Sequence, residues 1–329
     1  MKNGARILVV TVALAAVTGF ASAQSMISAK SGLIHYVEGR VLLDGQQVAQ
    51  KFGNFPQMKE NAQLRTEEGR AEVLLTPGVF LRVGENSAFR MVSNQLADTR
   101  LEVLNGALLL ECAELLKDNA ITLLYKDASI LLRKDGVYRL DTEPPQLRVY
   151  DGEALVEQGG QALMLKKGKL LAFNGIFAAE KFDNNVGDTL FRWAKRRAEY
   201  VAMANVSAAK SIRDSGSLWQ NSGWRWNPYF GMFTFVPWRG AYNSFWGYRF
   251  WSPRQVYMVY APPMQASSGG GGWDASRSYN SSLGYSTVPR TSAGTSGTLA
   301  TSASAPTTAT SAPSASIPRE SGQAGGRGR

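Results

Sequence analysis

Gly69-Arg70-Ala71-Glu72-Val73-Leu74-Leu75-Thr76-Pro77-Gly78-Val79-Phe80-Leu81-Arg82-Val83 reads as two short β runs joined by a Pro-Gly turn. Proline presets φ for the first central position of such a turn, and glycine accepts the positive φ that can follow. On both sides apolar and polar residues alternate with period two, which sets one face of each strand on a core and the other in water. Glu72 is expected on the solvent side.

The same punctuation continues outward. Asp44-Gly45, Glu68-Gly69, Val83-Gly84, Asn105-Gly106, Asp135-Gly136, Asp151-Gly152, Gly159-Gly160, Lys167-Gly168 and Asn174-Gly175 mark turns between Gly32 and Phe177. Between them lie β-friendly runs such as Leu101-Glu102-Val103-Leu104, Ala120 to Tyr125 and Val137-Tyr138-Arg139-Leu140. Evenly spaced short strands predict a mainly β fold, a roll or sandwich of short antiparallel strands. No gap in this region holds a convincing amphipathic helix, which disfavours parallel βαβ units.

Leu64-Arg65-Thr66, the Gly69 to Val83 stretch, Asn86-Ser87 and Leu101 to Glu111 resemble the FecR domain. The resemblance spans roughly residues 32–178. It implies a noncatalytic β domain that works by contact in the bacterial envelope. Known FecR proteins include regulators that pass a signal from an outer-membrane receptor to a cytoplasmic sigma factor. This chain carries an apparent secretory leader where that regulator has its sigma-binding segment and membrane helix, so only the exported β-domain role carries over. Thr76-Pro77-Gly78 also replaces the acidic-residue-plus-glycine hairpin usual in the family.

The leader reading rests on Lys2 and Arg6, the apolar run Ile7 to Val17 and the small-residue ending Ala21-Ser22-Ala23, the order of a cleavable secretory signal. The chain of 329 residues then divides into a signal peptide at 1–23, a FecR-like β domain at 24–180, a basic amphipathic helix at 181–216, an aromatic-rich cap at 217–260 and a disordered Ser/Thr/Ala/Gly/Pro-rich tail at 261–329. The mature protein is expected in the periplasm or outside the cell, with no transmembrane span. The net charge of +10 is uneven: −2 across 24–180, +7 across 181–260 and +3 in the tail. The basic excess thus lies outside the main domain and accompanies no nucleic-acid reading motif, which argues against nucleic acid as a partner.

Asp188 is a fitting N-cap for the helix, Leu190, Trp193, Ala194, Val201, Ala204 and Ala208 form its apolar face, and Gly216 ends it. Lys195, Arg196 and Arg197 are expected on the opposite face, either simply solvated or drawn to an anionic lipid or polysaccharide surface in a peripheral contact. All eight tryptophans lie at or after Trp193. The segment Gly223 to Trp238, continuing into Phe245 to Pro253, is similar to a Trp-Asn-Pro-Tyr and Phe-Trp-Ser-Pro segment that follows FecR-like domains in some exported bacterial proteins. Two readings stay open for its rings. They pack into a compact, irregular cap, or Trp224, Trp226, Trp238, Trp246 and Trp251, with Arg225, Arg239, Arg249 and Arg254, stay exposed to bind a partner protein, an envelope polysaccharide or a bilayer interface.

Catalytic constellations are poorly supported. Glu67, Glu68 and Glu72 are paired carboxylates in principle only, lying at a turn and on a strand. His35, the single histidine, has no evident partner and reads as structural, and Cys112, the single cysteine, reads as buried and inert beside Glu111. Asp135 and Asp151 belong to Asp-Gly hairpins rather than a calcium loop. The expectation is a nonenzymatic envelope protein, without cofactor or metal, that acts as an interaction or ligand-sensing module; the alternative is carbohydrate binding through exposed aromatics of residues 219–251.

Overall fold

The computed structural model describes residues 30–49, 53–184 and 187–259, all within one unit of the chain. The expected leader at 1–23 and tail at 261–329 lie outside the described residues. In chain order the strands are β1 (Leu33–Leu43), β2 (Gln46–Gln47), β3 (Gln63–Leu74), β4 (Val79–Val83), β5 (Ala88–Asn94), β6 (Asp98–Asn105), β7 (Ala107–Cys112), β8 (Ala120–Tyr125), β9 (Ala128–Leu132), β10 (Gly136–Thr142), β11 (Pro145–Asp151), β12 (Glu153–Gln158), β13 (Gln161–Lys166), β14 (Lys169–Ala172) and β15 (Glu180–Lys181). Then come the helix α1 (Thr189–Asp214), the hairpin of β16 (Gly223–Asn227) and β17 (Met232–Val236), the hairpin of β18 (Ala241–Asn243) and β19 (Arg249–Trp251), and a 3₁₀ turn at Val256–Val259.

The first fifteen strands form one sheet in the order β13-β12-β9-β8-β6-β5-β3-β4-β7-β10-β11-β14-β15, with β1 on β3 and β2 on β1. The fold is mainly β, as the turn spacing predicts. Its pairs are antiparallel except β6 with β8. That exception has a simple cause: β7 leaves β6 to pair with β4 and β10, so the chain returns to β6 running in the same direction.

The chain steps between the two ends of this order at Gly152, which joins β11 to β12, and again at Lys167-Gly168, which joins β13 to β14. Gly152 has φ 97°, and a Cβ there would collide with the Tyr138 hydroxyl. The two arms of the sheet thereby enclose one apolar core, to which β3, β4, β7, β10 and β11 give Val73, Leu81, Leu110, Leu140 and Val149, and β6, β8, β9, β12 and β13 give Leu101, Ile121, Ile130, Val156 and Leu165.

Glu68-Gly69 is not a turn. It lies inside the twelve-residue strand β3, where Gly69 sits opposite Gly39 of β1 beside a register shift. A Cβ on Gly69 would lie 2.5 Å from the Glu38 carbonyl oxygen, and one on Gly39 would strike the Glu68 carbonyl. The glycine pair serves close backbone approach at a bulge, a second use of glycine that a turn reading misses.

The alternation across β3 and β4 is real, but its second face is not wet. Ala71, Val73, Val79, Leu81 and Val83 face the core between the arms. Glu72, Leu74, Phe80 and Arg82 face the other way and are buried as well, because α1 and the two aromatic hairpins cover them. β7 repeats the pattern, with Leu108, Leu110 and Cys112 inward and Leu109, Glu111 and Ala113 under the cover.

α1 begins as expected: the Asp188 side chain accepts the Phe191 N–H, and Gly216 follows the helix with φ 64°. Its predicted apolar face is buried. Arg197 is buried with it, contrary to expectation, whereas Lys195 and Arg196 are exposed. The aromatic segment is not irregular throughout; it folds into two antiparallel hairpins. Among the described residues no helix is long and apolar enough to cross a membrane.

Candidate functional site

The covered face of the sheet gathers charge. In the β3–β4 hairpin Glu72 pairs in register with Arg82, whose Nε donates to Glu72 Oε2 at 3.0 Å while its Nη1 donates to Glu111 Oε2 on β7 at 2.7 Å. From α1, Arg197 Nη2 donates to Glu72 Oε1 at 2.8 Å, and from β1 His35 Nδ1 lies 2.9 Å from the same oxygen. Ser244, between the two strands of the last hairpin, donates to Glu111 Oε1 at 2.6 Å. Two carboxylates and two guanidinium groups balance if His35 is neutral.

Neutrality is what the geometry demands. His35 Nε2 accepts the Phe233 N–H of β17 at 3.0 Å, so its proton sits on Nδ1 and is donated to Glu72. Burial pushes the His35 pKa down, against the pull of Glu72. Burial alone would raise the Glu72 carboxyl, but Arg197, the His35 hydrogen bond and Arg82 outweigh it and hold the group well below the usual carboxylate range. Aromatic rings enclose the cations: the Arg197 guanidinium lies 4.1 Å from the Tyr36 ring centroid, and Arg82 lies 5.4 Å from Phe80 and 5.5 Å from Trp246.

A second network holds the start of α1. Arg139 on β10 donates from Nη1 and Nη2 to Asp188, at 2.7 and 2.6 Å, and also contacts Asp141, which accepts from Arg148 Nη2 at 2.6 Å. Asp188 thus caps the helix and ties it to the sheet. Farther along, Asn205 donates to the Phe235 and Trp251 carbonyls at 2.8 and 3.0 Å and accepts the Trp251 N–H at 2.6 Å. One helical side chain therefore fastens both hairpins.

This corrects two readings of single residues. Glu72 is enclosed rather than solvent-facing, because the strand's second face is covered, and His35 has partners in Glu72 and Phe233. His35 does hold a structural position. Glu67 pairs instead with Arg40 at 3.1 Å on the surface, so the three acids Glu67, Glu68 and Glu72 do not converge. Cys112 is buried, and burial, reinforced by Asp135 and Glu111, pushes its thiol well up. Asp135 Oδ1 accepts the Leu115 N–H at 2.6 Å. Among the described residues no group of three or more His, Cys, Asp or Glu is arranged to hold a metal ion.

The aromatic and basic residues singled out in the sequence are dispersed. Trp224 and Trp251 are buried, the former edge-on to Phe80 at 5.1 Å. Trp226 packs on Phe55 and Phe233, and Trp246 on Phe191 and Phe245, each with rings strongly tilted. Arg249 lies 5.6 Å from the Trp251 ring, and Arg225 is half-buried on β16 opposite Thr234. Trp238 alone among these tryptophans is exposed, at 37%. The Arg239 guanidinium lies 3.8 Å from its ring centroid.

Trp238 borders a cleft of about 590 Å³ beyond the end of α1, lined by Arg213, Trp219, Gln220, Asn221, Trp238 and Arg254 together with small and apolar residues. Trp219 is anchored against the apolar cluster of Ala208, Ile212, Val236 and Val256. The buried network holds the elements in position, whereas this cleft is open to solvent. Sequence reasoning named Trp238 and Arg254 and included Trp219 in its aromatic range, but it did not single out Arg213, Gln220 and Asn221 or bring the group together, since these residues meet only after the helix ends and the chain reverses.

No family model matches the sequence, and no curated protein matches it. Two crystal structures of a candidate anti-sigma factor from Parabacteroides distasonis are similar in part, each with a TM-score of 0.33, at 12% and 11% identity. Each alignment covers 37% of this chain and 60% of the other, so this chain spans less than two thirds of that protein's length.

Proposed function

We propose that the protein is a noncatalytic, exported envelope component in which a FecR-like β domain serves as an interaction or ligand-sensing module. The observation that carries this reading is the division of labour between buried and exposed polar groups. His35, Glu72, Arg82, Glu111 and Arg197 are spent on joining the sheet, helix and hairpins. Acids and bases committed to one another in a buried cluster specify the arrangement of the elements around them rather than offering themselves to a substrate. The helix and hairpins add an aromatic and cationic cleft at the surface, a composition suited to contact.

The test uses the full mature chain, immobilised and exposed to an envelope extract. A retained component, purified, should rebind saturably and leave with its mass unchanged. A component that is consumed or cleaved on rebinding would overturn the noncatalytic reading, and absence of any saturable component would overturn the interaction reading.

A further inference from the structure

The cleft beyond α1 combines features that select a particular ligand chemistry. Trp219 is braced by the core, and exposed Trp238, with the Arg239 guanidinium stacked on one face of its ring, borders the same cleft, so the cleft offers the Trp219 indole and the remaining Trp238 surface to the C–H face of a sugar ring. Gln220 and Asn221 supply amide donors and acceptors of the kind that read hydroxyl groups. Arg213 and Arg254 supply positive charge.

Neither arginine is firmly committed. Arg213 holds Asp214, its neighbour in sequence, at 2.8 Å through a pair with both side chains more than a third exposed, the weak class of ion pair. Arg254 is exposed and makes no ion pair among the described residues. No carboxylate lines the cleft, and the chain from 181 to 260 carries +7. The volume of about 590 Å³ lies in the range of about 300–1,000 Å³ usual for small-molecule sites, enough for a short run of sugar rings and far more than a lone ion needs.

We infer that this cleft binds a carboxylated polysaccharide, its sugar faces on Trp238 and Trp219 and its uronate carboxylates on Arg213 and Arg254. The inference rests on the interaction-module reading and deepens it by naming the ligand class. Arg–carboxylate pairing is charge-assisted and bidentate in its best geometry, and it gives the site a preference for uronic acids over neutral sugars.

The experiment is calorimetric titration of the full mature chain with a hexamer of galacturonic acid, beside a neutral hexamer of glucose. Saturable binding of the acidic hexamer is expected, with at least about tenfold weaker binding of the neutral one. Trp238→Ala and Arg254→Gln should each weaken binding by about tenfold or more. Both side chains are exposed, so these variants should retain the wild-type circular dichroism. Arg133→Gln, which removes the same charge from an exposed position between β9 and β10, should change affinity by less than about twofold.

No binding of the acidic hexamer, equal binding of the neutral hexamer, or equal loss in Arg133→Gln and Arg254→Gln would each overturn the inference. Its failure is separable from that of the interaction reading: a protein captured from envelope extract and rebound by Trp238→Ala as well as by wild type leaves the module standing and removes this cleft. A hexamer bound with the expected variant effects but recovered shortened would support the cleft and overturn the noncatalytic reading.

Discussion

Glu72 on β3 and Arg197 on α1 stand 125 residues apart in sequence and 2.8 Å apart in space, both withdrawn from solvent. Their contact decides how the helix lies on the sheet. Charge brought into a buried interface carries a large desolvation cost, offset here by His35 and Arg82 on Glu72 and by the Tyr36 ring beside Arg197.

Removal of one partner should therefore be more damaging than its distance from any surface cleft suggests. Arg197→Met keeps much of the side-chain volume but leaves a net negative cluster, and urea denaturation should show a loss of about 3–5 kcal/mol. Glu72→Gln combined with Arg197→Met should cost less than the sum of the two single changes, since the double variant no longer buries an unmatched Glu72 charge. Additive losses would contradict direct coupling.

Acid should weaken the protein in two stages. His35 is neutral in the folded state with a lowered pKa, whereas its unfolded value is near 6.5, so the unfolded chain binds the proton more readily. Its contribution is complete above about pH 6.5 and declines as pH falls toward the depressed folded value. Protonation also sets Nε2–H against the Phe233 N–H. Glu72, held well below 4.5, adds a second loss beneath pH 4.5. Melting temperatures across pH 7.5 to 3.5 should fall in both windows, and His35→Gln, which keeps a donor and an acceptor without a titrating proton, should flatten the upper one.

Asn205→Ala should loosen both hairpins at once. The Phe235 and Trp251 carbonyls and the Trp251 N–H lose their partner inside a packed region, with a cost of about 1–3 kcal/mol for each buried group left unmet. Limited proteolysis should show earlier cutting within 217–259 than in wild type, while strands β1–β15 stay protected. Unchanged protection there would rule out the pinning role.

Gly69→Ala is expected to destabilise by more than about 1 kcal/mol, because the new methyl meets the Glu38 carbonyl and the Arg40 backbone on the facing strand. Thermal unfolding distinguishes this from a helpful gain in backbone stiffness, which would raise the melting temperature instead.

Much of the sheet was legible because turn chemistry is local: Asp44-Gly45, Gly159-Gly160 and Lys167-Gly168 all mark strand connections. The buried network was only partly hidden. With β3 and β4 reversed about Pro77, the opposition of Glu72 to Arg82 follows from the hairpin itself. On the helix, Arg197 fills the place between Trp193 and Val201 on the apolar face, four residues from each. A charge in that place signals a buried partner as readily as a solvated edge. What period-two alternation cannot reveal is whether the second face meets water or another layer, and that depended on residues more than a hundred positions away. The cleft was illegible for a related reason, since Arg213, Trp219, Trp238 and Arg254 converge through the packing of α1 against β17 and β19.

Because the outward face of β3 and β4 was made for a dry neighbour, residues 24–180 are not a portable module. Cutting the chain after Glu180 would hand water a bare Phe80 and Leu74 beside carboxylates stripped of Arg197 and Ser244. The boundary that composition draws there divides two textures of sequence within a single folding enterprise, and the shorter fragment should aggregate or rearrange where the longer one melts in one step.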